Sequence, residues 1–213
     1  KTYPDYKRLR ADTKDEDLAT KARETKAQVL ELANHLGLPV WGLPGFESDD
    51  LIAHAARRYR HRFDQIVAMS NDSDLNQLFC YPNFYIWKGK KGRYERGDFY
   101  REWGVEPDEL VLALAMTGTH NEVAGIDGIG PVSARVAIKN PVKLRELRQK
   151  HAVVIDRNIA LIHLPHPEFP GGACLPVKTT VFKDRQLFIF CARYDIDASK
   201  AMLDAFNQLV PQL

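Results

Sequence analysis

Two acidic clusters carry the chemistry that is easiest to read from this chain. Glu47-x-Asp49-Asp50 stands just before an apolar helical pattern, and Asp72-x-Asp74 follows the apolar run Gln65–Ser70 directly. At the carboxyl end of a strand in an open α/β sheet, side chains face the edge where ligands bind. If both clusters meet there, five carboxylates share one place, which is untenable unless cations neutralise them. Hard divalent ions such as Mg²⁺ or Mn²⁺ take oxygen ligands of this kind and keep several waters. A pair of such ions about 4 Å apart can activate water and stabilise both the attacking and leaving oxygens of a phosphodiester. A simpler reading stands beside this one: Ser48 or Asp49 caps the helix, and Asp74 caps the next. Asp72 is then left without a structural duty.

A second stretch is more specific. Gly125-Ile126-Asp127-Gly128-Ile129-Gly130-Pro131 is followed by Ser133, Arg135 and Lys139. Glycines permit a tight turn and a close approach of main chain to phosphate, and Pro131 suits the first turn of a helix whose N–H groups favour anions. Ile126 and Ile129 would anchor the turn, while Arg135 and Lys139 would flank a nucleic-acid backbone. The turn therefore predicts sequence-independent DNA binding, with a plain helix connection as the alternative. The seven histidines are scattered without ligand spacing, and no Ser/His/Asp order or reactive-cysteine setting competes.

The elements that must hold these residues follow from periodicity. A helix is predicted from about Asp15 to Leu36, ended by Gly37, then a short strand Leu38–Trp41 and a helix Ser48–Tyr59. Gln65–Ser70 reads as a buried parallel strand, Leu75–Phe79 as the start of a helix, and Phe84–Trp87 with Arg93-Tyr94 as a strand pair around Gly89–Gly92. Beyond Pro107 the pattern is helical, Pro165–Pro176 is irregular, and a last helix covers about Ala198–Leu209. The alternation indicates an α/β fold with a mainly parallel sheet flanked by helices.

Composition narrows the class. Of 213 residues, 45% are hydrophobic and 27% charged, which argues against disorder. The net charge of +2 hides basic runs at Lys7–Arg10, Arg57–Arg62, Lys88–Arg96 and Arg135–Lys150 around the acidic clusters. That pattern suits a protein that binds a polyanion and holds cations to act on it. Cys80, Cys174 and Cys191 form no zinc-like spacing and suit a reducing compartment. No apolar run approaches the roughly 18 residues of a membrane span, and no signal peptide is visible, so a cytoplasmic protein of a bacterial or phage-infected cell is expected.

Phe46–Ala53, Ser70–Leu78 and Gly125–Ala134 occur in the order and spacing of the 5′–3′ exonuclease / flap endonuclease family, which the chain resembles from about Tyr3 to Leu147. The resemblance implies a PIN-like 5′ nuclease core over 1–106, and over 107–213 a helix–three-turn–helix DNA-binding region with the last part of the core. It implies a divalent-metal-dependent nuclease that hydrolyses 5′-ended or branched DNA, acts as a monomer, and serves replication or repair. By the same resemblance Glu47, Asp49, Asp50, Asp72 and Asp74 would hold Mg²⁺ or Mn²⁺. Tyr3-Pro4-Asp5-Tyr6-Lys7 with Arg10 looks like the YPxYKxxR segment, so Lys7 and Arg10 would contact the scissile phosphate. Gly125, Gly128, Ile129, Gly130, Ser133, Arg135 and Lys139 would grip duplex DNA, with a potassium ion at Gly128, Gly130 and Ser133.

This chain also departs from the pattern. Where most members carry GDxxDN, it has Gly118 and Asn121 in place of the aspartates, as in the exonuclease IX-like branch. The family's N-terminal strand and its early aspartate have no counterpart here, so an upstream segment is expected. An alternative implied by these departures is a branched-DNA-binding protein of the same fold with little or no catalysis. A PIN-like ribonuclease or a small-molecule phosphatase would share the acidic edge but leave the glycine-rich turn unexplained.

Overall fold

The computed structural model describes residues 16–119, 123–172 and 184–194. These fall into two compact units, one within residues 42–173 and the other within 14–41 and 174–213. Lys7, Arg10, Asn121 and the Ala198–Leu209 helix lie outside the described residues.

The larger unit begins with α2, Ser48–Tyr59, following α1 of the smaller unit, Glu16–His35. Strand β1, Ile66–Met69, leads through a tight 3₁₀ segment, Asp74–Cys80, to β2, Phe84–Trp87, and β3, Arg93–Tyr94. Helices α3 (Arg96–Trp103), α4 (Leu110–Thr117), α5 (Pro131–Ile138) and α6 (Pro141–Ile162) complete it. The three strands lie in order β1-β2-β3, with β1 parallel and β3 antiparallel to β2. Register Ile66↔Phe84 and Ala68↔Ile86 puts the inward residues of two strands side by side. They pack on Leu75, Leu78, Phe79, Phe99 and Leu110 in the main core. Phe79 and Phe99 are fully buried, and emptying either site would cost about 3–5 kcal/mol.

A second core lies under the glycine-rich turn. Ala115 and Met116 of α4, Ile126, Ala134 of α5 and Ile155 of α6 are all buried in it. Small residues at 115 and 134 let the helices approach closely. In the other unit, Leu187, Phe190 and Cys191 of α7 (Asp184–Arg193) bury themselves with Leu32 of α1 and Leu36 just after it.

The observed α/β class matches the sequence reading, and α2 spans Ser48–Tyr59 as predicted. Three local differences stand beside this agreement. Leu38–Trp41 forms no strand, because Pro39 lacks the N–H that a ladder needs. Residues 74–80 wind as a 3₁₀ rather than an α-helix. Strand β1 is not buried on both faces within the described residues, since Val67 and Met69 stay exposed. No helix of the described residues is long and apolar enough to cross a membrane.

Candidate active site

The first acidic cluster is arranged by the start of α2. Glu47 is the N-cap in extended conformation, and it shares a capping box with Asp50. The Asp50 carboxylate accepts the Glu47 N–H at 3.1 Å, and the Glu47 carboxylate accepts the Asp50 N–H. The cap is thus Glu47 with Asp50 rather than Ser48 or Asp49, and Asp49 sits between them outside the box. Asp50 is buried, and its other oxygen accepts the His166 N–H at 2.6 Å. One side chain therefore ties the helix start to a segment 116 residues later.

The second cluster is arranged by the end of β1. Ser70 Oγ accepts the Asp72 N–H at 3.0 Å, and Asp72 Oδ1 accepts the Asp74 N–H at 2.9 Å. These local bonds turn the chain sharply into the 3₁₀ segment. Asp72 has the structural duty that the sequence reading withheld from it, and one of its oxygens remains outside that bond.

Glu47, Asp49, Asp50, Asp72 and Asp74 all line one open cavity of about 770 Å³. No Lys or Arg stands among the described residues of its wall. Burial pushes the Asp49 carboxyl up from 3.8 to about 6, and the negative charges of Asp72, Glu47 and Asp50 add to the rise. The two clusters are therefore close enough to repel one another. A cation between them would relieve that repulsion and draw the Asp49 carboxyl back down. Among the described residues, however, no three His, Cys, Asp or Glu groups close into a ready-made ion-binding set. An oxygen donor set spaced around a cavity fits a hydrated hard cation held partly through its own waters. It does not fit a tightly caged, dehydrated ion.

Another part of the wall comes from Thr117, Gly118 and Thr119, which the sequence reading registered only as missing aspartates. Gly118 has φ +81°, and a Cβ there would lie 2.6 Å from both the Val123 carbonyl oxygen and the Gly125 nitrogen. A Cβ on Gly125 would collide with the Thr117 main chain. The two glycines let residues 118 and 124 form a β-bridge, with the Thr119 N–H bonded to the Val123 carbonyl at 2.9 Å. Position 118 is backbone against backbone, with no room for a carboxylate. Fully buried Asn158 fixes this region from α6 by donating to the Ala115 and Ala124 carbonyls, both at 2.9 Å.

The glycine-rich turn has the form its sequence implies. Gly128 is at φ +79°, Gly130 is the N-cap of α5, and Pro131 occupies its first turn while also lining the cavity. Ile126 is buried, and its N–H bonds to the Met116 carbonyl at 2.8 Å. Ile129 packs on the second core, whereas Gly128, Gly130, Ser133 and Lys139 are exposed. Arg135 is half-buried, its stem packed beside Gly104 and one guanidinium nitrogen 3.4 Å from the Trp103 carbonyl. It sits at the C-terminus of α3, where positive charge is favoured. The remaining wall includes His163, His166 and Glu168. In the sequence these histidines are scattered, because the bonds that bring them here span long separations.

The larger unit is an α/β fold in which a small mixed sheet, acidic at the end of β1, stands with a glycine-rich turn between helices. Over 99% of this chain and 79% of the other, it aligns with the T5 D15 protein co-crystallised with metal ions, at TM-score 0.67 and 17% identity. Residues 1–104 match the family model of the 5′-3′ exonuclease N-terminal resolvase-like domain. It is 33% identical to a 5′-3′ exonuclease of Aquifex aeolicus over 135 residues, 63% of this chain and 45% of that one. It is 28% identical to the flap endonuclease Xni of Yersinia enterocolitica over 151 residues, 70% of this chain and 58% of that one. The chain thus spans about half the length of these relatives.

Proposed function

We propose that this chain is a divalent-metal-dependent 5′ nuclease that hydrolyses phosphodiesters in 5′-ended or branched DNA. One observation carries the reading: acidic clusters from a helix start and a strand end share one cavity whose described wall holds no Lys or Arg. A cavity of that charge beside a DNA backbone has little use without cations. Relatives and a structural neighbour named as exonucleases, flap endonuclease and metal-bound T5 protein support it.

In this reading Asp49, Asp72, Asp74 and Glu47 hold Mg²⁺ or Mn²⁺, and Asp50 supports them from its buried position. The ion, when bound, supplies Lewis acidity to the phosphodiester and its attacking water. Gly125, Gly128, Ile129, Gly130 and Ser133 present main-chain groups at the start of α5 to a DNA phosphate, with Lys139 beside it. A potassium ion near Gly128, Gly130 and Ser133 would strengthen that grip. Lys7 and Arg10 complete the phosphate contacts. Residues 1–106 form the nuclease part, and 107–213 contain the DNA-gripping part.

A second reading, a DNA-binding protein with weak or absent catalysis, is favoured by the closed backbone at Gly118. The two separate in one assay. A 5′-labelled flap substrate is incubated with Mg²⁺ or Mn²⁺ and the wild-type chain or Asp72→Asn. Cleavage by the wild type alone supports the nuclease; binding of branched DNA without cleavage by either supports the second reading.

A further inference from the structure

The cavity wall formed by residues 162–169 is held by buried side chains. Gln77 Nε2 donates to the Ile162 carbonyl at 3.0 Å, and Gln77 Oε1 accepts the Leu164 N–H at 3.1 Å. Asp50 takes the His166 N–H, and buried Phe169 anchors the far end against Phe46 and His54. A strap fixed at both ends and in the middle places its side chains in definite positions.

Two of those side chains are imidazoles lining the cavity, and their partners assign opposite tautomers. His163 Nδ1 lies 3.0 Å from the Pro165 carbonyl oxygen, which can only accept, so Nδ1 carries a proton and in the neutral ring Nε2 has the lone pair. His166 Nδ1 instead accepts the Glu168 N–H at 3.2 Å, so in the neutral ring Nε2 carries the proton. Apart from Trp103, these are the only side chains with nitrogen among the described residues of the wall.

We propose that this strap is a substrate-contacting wall: His166 donates its Nε2–H to a phosphate oxygen of the nucleic acid in the cavity, and His163 Nε2 accepts a hydrogen bond from the water beside it. Naming the phosphate as DNA rests on the nuclease reading; the donor and acceptor pattern does not.

The test uses the full chain with ¹⁵N-labelled histidine. In the free protein, His166 is expected as the Nε2–H tautomer and His163 as the Nδ1–H tautomer. Saturation with a 5′-phosphorylated oligonucleotide, with Ca²⁺ in place of Mg²⁺, is expected to move the His166 Nε2 signal. An unmoved signal at saturation overturns the proposal. In single-turnover cleavage, His166→Leu should be slower by about tenfold or more, while His166→Gln, which keeps an amide N–H, recovers most of the rate. A wild-type rate in His166→Leu also overturns it. If the wild-type chain does not cut but the His166 signal moves, the nuclease reading falls and the wall stands. If it cuts and the signal stays still, the reverse holds. Should His166→Leu fail to fold, the oligonucleotide titration of the wild type decides alone.

Discussion

On the α2–β1 side of the cavity, the acids have been given second jobs. Asp50 bonds two main-chain N–H groups, Glu47 caps a helix, and Asp72 closes a turn. On the opposite side, positions 118 and 125 have no room for a side chain, and main chain packs on main chain there. The first side keeps functional groups by making them part of the structure; the second has traded them for close packing. Charge is tolerated where backbone donors surround it and is absent where the backbone closes on itself.

The largest effect should come from the acidic side. Asp72→Asn keeps an oxygen for the Asp74 N–H, so the turn survives while the charge goes, and single-turnover cleavage should fall by about a thousandfold. Gly118→Asp tests the other side. It should lower stability by about 2–4 kcal/mol in a urea titration without raising the cleavage rate, through positive φ and collision with Val123 and Gly125. A faster nuclease would erase the contrast between the two sides of the cavity.

Asp50→Asn should cost about 1–3 kcal/mol in the same titration, because it sets an amide against one of two buried N–H groups. Asp49→Asn should do the opposite. The Asp49 carboxyl is raised from 3.8 to about 6, so the wild type loses stability as pH climbs through that window, and the asparagine variant does not. Thermal melts without metal should coincide near pH 3.5 and favour the variant by about 1 kcal/mol at pH 7.5, after allowance for its partial exposure. The smallest effect belongs to Lys139→Gln, which should reduce the salt dependence of DNA binding by about one unit of slope.

Much of this was legible in local sequence. Ser48–Tyr59 announced its bounds by acids at its start and apolar spacing along it, and Gly128–Pro131 announced a turn into a helix. What stayed hidden depends on distant partners. Nothing near Asp50 foretells His166, and nothing near Gln77 foretells Ile162 and Leu164, so the imidazole strap could not be assigned to the site from spacing. Arg135 looked like a surface cation but lies against the end of α3, because its long stem reaches a carbonyl 32 residues earlier. The role of Gly118 was hidden for a related reason: a residue can be chosen for the main chain it admits.

That last feature bears on how this chain can change over time. Gly118 and Gly125 hold each other in place, since a side chain at either one meets the backbone beside the other. Placing an acid at 118 would require the facing segment 123–125 to move first, so a lone substitution carries its cost before any gain. The pair works as an interlock: either position admits a side chain only after the backbone beside the other has moved.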